Sequence, residues 1–177
     1  MPTALFSRVT ITAVFSLFAL AACSAGTADK KSGGLTVSFP STAAAIASDT
    51  LELHVLDGSD PNACLAAIQA RQKNQPLAKP LLSINAQSTC NFLANAGAPF
   101  DVGYGVRAFL VVAQRAPTAG GTLADFMIGC ALAGVGDVSN QVDVSLTVVD
   151  DLASVPAFTK CSTLSDRCKL SSSAACY

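Results

Sequence analysis

A chain of 177 residues has room for one domain with a real hydrophobic core. Its 11 Lys+Arg and 12 Asp+Glu are scattered and sum to a formal charge of −1, which leaves no electrostatic footprint for nucleic acid. The hydrophobic fraction of 51 % is raised by alanine and by an apolar N-terminus. No stretch after Cys23 approaches the roughly 20 apolar residues that span a bilayer, so the composition does not signal a polytopic membrane protein.

The first 22 residues have the parts of a secretory signal: Arg8 as a lone positive charge, an apolar stretch from Val9 to Leu20, then small residues at a cleavage site. Leu20-Ala21-Ala22-Cys23 resembles the lipobox of bacterial lipoproteins. The resemblance implies a signal peptide over 1–22, a diacylglyceryl thioether on Cys23, and further acylation such as palmitate on the new N-terminus. More than one acyl chain gives stable attachment where a single chain would be marginal. Ser24, which is not aspartate, favours the outer membrane by the sorting rule of Gram-negative lipoproteins. The expected location is therefore the bacterial cell envelope, with the membrane as a partner through the lipid anchor.

Loss of the leader leaves 155 residues and, without Arg8, a formal charge of −2. From Cys23 to Gly34 the residues are small and polar, with Lys30, Lys31 and the Gly33-Gly34 pair, and this composition reads as a flexible tether. Random-coil scaling puts its reach at about 15 to 20 Å. A single folded domain is expected over 35–177.

Seven cysteines are an odd number, and a lipidated Cys23 accounts for the odd one. Cys64, Cys90, Cys130, Cys161, Cys168 and Cys176 remain, an even set in a compartment that permits disulfides. Six cysteines allow about 15 pairings, among which sequence alone does not choose; simply pairing neighbours along the chain gives Cys64 with Cys90, Cys130 with Cys161, and Cys168 with Cys176. A structural zinc site would use close-spaced ligand pairs, yet no C-x-x-C occurs and the one histidine, His54, stands far from every cysteine.

Leu35, Val37 and Phe39 alternate with Thr36 and Ser38, the period of a half-buried strand, and Pro40 ends it. Leu51, Leu53 and Val55 repeat the pattern against Thr50, Glu52 and His54. Asp57-Gly58-Ser59-Asp60-Pro61 predicts a turn and then a helix from Pro61 to Lys73, with Asp60 as N-cap and Pro61 at the first helical position. Cys64 and Ile68 share one face of that helix, so a bridge from Cys64 would staple it to the sheet. The stretch from Asn74 to Asn95 reads as loop with one weak strand near Leu81 to Ile84.

Val102, Tyr104, Val106, Ala108, Leu110 and Val112 fall on one face of a long strand that carries Arg107, Phe109 and Val111 on the other, which predicts a central strand. Pro117 to Gly121 predicts a turn. Leu123 to Ala131 predicts a strand with Phe126, Ile128 and Cys130 on one side, and Gly134 to Asn140 predicts a further turn. Val142, Val144, Leu146 and Val148 then alternate with Asp143, Ser145 and Thr147. Such spacing predicts a mainly β fold, an antiparallel β-sandwich with one short helix. The tail over about 156–177 is serine-rich, holds three cysteines and reads as a stapled coil.

The run Ala98-Pro99-Phe100-Asp101-Val102-Gly103-Tyr104-Gly105-Val106-Arg107-Ala108-Phe109, with Ile128-Gly129-Cys130 beyond the turn, resembles the central hairpin of transthyretin-like and immunoglobulin-like envelope modules. Their G-x-Y-x-V-x-A strand is shifted here by one residue, since Gly103 directly precedes Tyr104. The resemblance implies a module that binds or spaces other molecules rather than an enzyme.

No catalytic constellation emerges. With one histidine, two-histidine metal sites and most histidine relays are out of reach, and His54 lies on the polar face of its strand as a surface residue. Neither a G-x-S-x-G elbow nor an S-x-x-K pair occurs. The alternative to a binding or structural module is an envelope glycan hydrolase using paired carboxylates, and only Asp150-Asp151 are adjacent acids. Asp57, Asp60 and Asn62 around Gly58 offer oxygen ligands for calcium, although a turn and an N-cap already explain them. The expectation is a noncatalytic envelope module without cofactor, meeting an envelope protein or glycan through a loop end or sheet face, with an exposed apolar patch around Phe109 and Val111 if that face is left uncovered.

Overall fold

The computed structural model describes residues 34–96, 102–116, 121–136, 141–149 and 159–177. The expected leader, the lipobox with Cys23 and all but the end of the tether lie outside them, as do Asp150 and Asp151. The fold is mainly β. In chain order the elements are β1 (Leu35–Ser38), α1 (Thr42–Ala47), β2 (Thr50–Asp57), α2 (Ala63–Gln72), β3 (Leu82–Ser88), α3 (Thr89–Asn95), β4 (Gly105–Arg115), β5 (Ala124–Val135), β6 (Val142–Ser145), β7 (Thr147–Val148) and α4 (Leu164–Arg167), then a 3-10 turn at Ser173–Cys176.

An antiparallel sheet of five strands runs in the order β3-β2-β4-β5-β7, and β1 pairs with β6 in a separate ribbon. That ribbon is parallel, with Leu35 opposite Val142 and Val37 opposite Val144, which corrects the expectation of antiparallel pairing throughout. Alternation fixes which face a strand buries but carries no information about the direction of its neighbour.

Two cores line the two faces of the five-stranded sheet. Leu51, Leu53, Val55, Phe109, Val111 and Ala113 meet Leu35, Val142 and Val144 of the ribbon and Phe92 of α3. Leu56, Ala108, Leu110, Val112 and Ile128 meet Ala67 and Ile68 of α2 on the opposite face. β4 is therefore covered on both sides, and this is why its sequence is almost continuously apolar. Phe109 and Val111 are 1 % and 0 % exposed, so the anticipated docking patch there does not exist: the ribbon covers it.

β5 departs from its expected pattern at one point. Gln114 is opposite Asp125 and Ala113 opposite Met127, which leaves Phe126 as the extra residue of a bulge. Phe126 and Met127 both enter the first core, whereas Ile128 and Cys130 face α2, so Phe126 does not share a side with them. Two residues on, Gly129 lies directly against β6, and a Cβ there would collide with the Ser145 carbonyl oxygen.

α2 begins two residues later than expected. Asp60 Oδ1 accepts the Asn62 N–H at 2.8 Å and its carbonyl accepts the Ala63 N–H at 3.0 Å, so Asp60 closes the turn before the helix and Asn62 occupies the N-cap. The short helices α1 and α3 replace stretches with no assigned element or read as loop. Each starts at a serine whose hydroxyl accepts an N–H three residues on: Ser41 from Ala44 at 3.1 Å and Ser88 from Asn91 at 3.2 Å.

All six cysteines of the described residues are in disulfides, but with other partners than chain order suggests: Cys64 with Cys130, Cys90 with Cys168, and Cys161 with Cys176. Pairing along the chain fails because α2 lies across β5, which brings Cys64 to Cys130, and because the tail returns to α3, which brings Cys168 to Cys90. The tail is more ordered than a coil. α4 has a capping box between Thr163 and Asp166, and Ile46 of α1 packs against Cys161 and Cys176. Asp49, just before β2, ties these parts together: Oδ1 accepts the Ser173 N–H at 3.0 Å and lies 3.3 Å from Arg167, and Oδ2 accepts the Ala116 N–H at 3.0 Å.

Candidate functional site

The even residues of β2 point to the face that carries α2, where Glu52 and His54 escape full cover by apolar neighbours. The Cys64–Cys130 bridge fixes α2 over the sheet and sets its last turn, with Arg71, above the ends of β4 and β5. There the Arg71 guanidinium clasps Asp125, with Nε to Oδ2 at 2.6 Å and Nη2 to Oδ1 at 2.9 Å, and reaches Glu52 Oε1 at 2.5 Å. Gln114 donates to Asp125 Oδ1 at 3.2 Å and accepts from the Thr50 hydroxyl at 3.2 Å, which extends the network to the sheet.

A groove of about 720 Å³ opens beside this network, lined by Arg71, Asn74, Gln114, Leu123, Asp125 and Val149 among others. Its polar wall is electrically settled. The hydrogen bonds that Arg71 donates to Asp125 raise the Arg71 pKa. Burial pushes Asp125 up, but the bonds from Arg71 and Gln114 outweigh it and hold the carboxyl below its ordinary value. The site thus presents one guanidinium shared by Asp125 and Glu52, with amide groups and short apolar walls around it.

That arrangement bears on acid–base chemistry. Glu52 and Asp125 converge, as a carboxylate pair must, but they converge on a guanidinium. A general acid needs a carboxyl that keeps its proton near neutrality, and Asp125 is shifted the other way.

His54 is not the plain surface residue its strand face suggests, because its side chain is only 13 % exposed. Its Nδ1 lies 3.0 Å from the Ser83 hydroxyl, and its Nε2 is 3.8 Å from Glu52 Oε1, beyond hydrogen-bond reach. The groove beside Arg71 reaches neither His54 nor Ser83. Serine, histidine and glutamate in a row are the residue types of a nucleophilic relay, but here the histidine hydrogen-bonds the serine alone, and Glu52 lies beyond reach of its other nitrogen.

Of the three oxygen-bearing residues considered for calcium, Asp57 and Asp60 border one small groove, and each carboxylate is already engaged. Asp57 accepts the Ser59 hydroxyl at 2.9 Å and the Ser59 N–H at 3.3 Å, and it lies 3.4 Å from Arg107. The Ser59 hydroxyl, then its N–H, with Arg107 adding, hold the Asp57 carboxyl below its ordinary value. Asp60 is spent on Asn62, and a guanidinium stands where a cation would be attracted. Among the described residues no group of three or more His, Cys, Asp or Glu converges.

The cluster of Arg71, Glu52, Asp125 and Gln114 has no signature in the sequence. Its members sit on four separate elements, and only the alternation of β2 marked Glu52 and His54 as sharing a face. Comparison with protein-family models, with curated proteins and with solved structures finds no match. Among the described residues no helix is long and apolar enough to cross a membrane.

Proposed function

We propose that the chain is a lipid-anchored protein of the bacterial envelope, held through Cys23, whose folded part is a noncatalytic binding or structural module of the β-sandwich type. The observation that carries this reading is the fate of the cysteines. Six of the seven pair with one another, which leaves Cys23, at the end of the lipobox, as the one cysteine outside the bridges. Three disulfides in a domain of this size also fit an oxidising compartment. The sandwich reading, of the transthyretin-like or immunoglobulin-like kind, is supported by the β1/β6 ribbon lying over one face of the five-stranded sheet. The groove at Arg71 is the natural contact for an envelope protein or glycan, because its guanidinium is already taken up by carboxylates and its amide and apolar walls are left to select the ligand.

The test is the intact mass of the membrane-fraction protein, alkylated with and without prior reduction. A mass fitting a chain that starts at acylated Cys23, with six thiols alkylated only after reduction, is the expected result. An unacylated chain overturns the anchor, and thiols alkylated without reduction overturn the stapled fold.

A further inference from the structure

The tether joins the fold at one identifiable end. The Val142 N–H donates to the Gly34 carbonyl and the Leu35 N–H to the Ala96 carbonyl, each at 2.8 Å, so the chain from Cys23 arrives where β1 and β6 begin. β7 runs antiparallel to β5, with Val148 opposite Met127 and Thr147 opposite Ile128, and Ser145 lies against Gly129. Stepping back along β6 from Ser145 to Val142 covers about 10 Å. That places the arrival point near the far end of β5, between Leu132 and Val135.

At this same end the cover provided by α2 gives out. Ala108 is fully buried, but Val106, two residues earlier on the same face of β4, is 47 % exposed, and Leu132, opposite Ala108 on β5, is 41 % exposed. Val106 and Leu132 are thus diagonal neighbours on one face. Gly134, opposite Val106, adds no side chain. Tyr104, just before the strand, is 42 % exposed. Arg107 is tied down here: its guanidinium donates to the Val102, Tyr104 and Val106 carbonyls, and its charge is offset by Asp57 at 3.4 Å.

We propose that this end rests against the lipid surface that holds the acyl chains, with Tyr104, Val106 and Leu132 in its interfacial layer. The inference rests on the lipid-anchor reading. Three side chains are too few to bring a free protein to a membrane, but a tether of about 15 to 20 Å makes the contact intramolecular in effect. Tyrosine suits the boundary, having an apolar ring and a polar tip. Gln114 and Asp125 lie at the opposite end of β4 and β5, about 26 Å along the strand from Val106, so the groove at Arg71 faces away from the lipid.

The chain contains no tryptophan, so a single one reports its own surroundings. The full acylated protein carrying Tyr104→Trp, Val106→Trp or Gln72→Trp is placed in phosphatidylethanolamine/phosphatidylglycerol vesicles with plain or brominated acyl chains. Brominated lipid is expected to remove most of the fluorescence at 104 and 106, with a blue shift on membrane binding, and to leave Gln72→Trp unchanged. Equal fluorescence in both lipids at 104 and 106, on protein whose mass shows the acyl chains, overturns the orientation but not the anchor. Burial at those positions that rises with protein density rather than with bromination assigns the face to a second copy and also overturns it. An unacylated chain overturns both readings.

Discussion

Arg71 carries more of the site than any other side chain, since Glu52 and Asp125 both face it and, among the described residues, no lysine or other arginine pairs with either. Replacing it with alanine leaves two partly buried carboxylates facing each other. Because the group is about a quarter exposed, the expected loss is about 1 to 3 kcal/mol, below that of a fully buried pair, and urea denaturation of Arg71→Ala measures it. The sign of the pH effect follows from Asp125. Its folded pKa lies below the ordinary 3.8, so its contribution is complete above that value and is lost as pH falls through the lower folded value. Asp125→Asn is expected to flatten the acid limb of the stability profile below about pH 4, and an unchanged limb would refute the assignment. Asp166 behaves alike in the tail. The Thr163 hydroxyl, with Lys169 and Ser162, lowers its carboxyl to about 2, so the α4 cap should hold from the ordinary 3.8 down towards that pH and then fail, as amide exchange of α4 would show. Gly129 is a steric case: Gly129→Ala forces β6 away from β5 and is expected to cost about 1 to 3 kcal/mol in a thermal melt.

The elements that the sequence revealed are those long enough to show a period. β1, β2 and β6 alternate over several residues, β4 stands out as a long apolar run, and in β6 and β7 Val142, Val144, Leu146 and Val148 all turn to the first core while Asp143, Ser145 and Thr147 stay exposed. α1 and α3 are six and seven residues long, less than two turns beyond their caps, too short for a 3.6-residue period to stand out, and their capping serines, Ser41 and Ser88, are the one local signal that could have marked them. β3 is polar on an edge of the sheet and therefore lacks the apolar beat. The bulge at Phe126 and the direction of β6 are tertiary facts with no local cause. The same holds for the bridges, since a disulfide reports where elements meet. In the chain-entropy model, removing the Cys64–Cys130 bridge, which spans 66 residues, costs about 4 kcal/mol, against about 3 for Cys161–Cys176, which spans 15. Paired serine substitutions compared in guanidinium chloride should fall in that order.

At the scale of the whole molecule, a doubly covered sheet is locked to a tail that touches it at few points. Asp49 supplies the polar part of that lock through Ala116, Arg167 and Ser173, so Asp49→Ala should raise amide exchange across the tail well before it affects β4. The site was less legible than the fold, because its four contributors come together only when α2 is laid over the strand ends. The bridges have one more consequence. The spans 64–130 and 90–168 overlap, and 161–176 overlaps the second, so the three loops form an unbroken covalent chain of overlaps from Cys64 to Cys176. A protease that cuts once anywhere in that interval severs the backbone yet releases no fragment, and the nicked protein still migrates as one molecule until it is reduced.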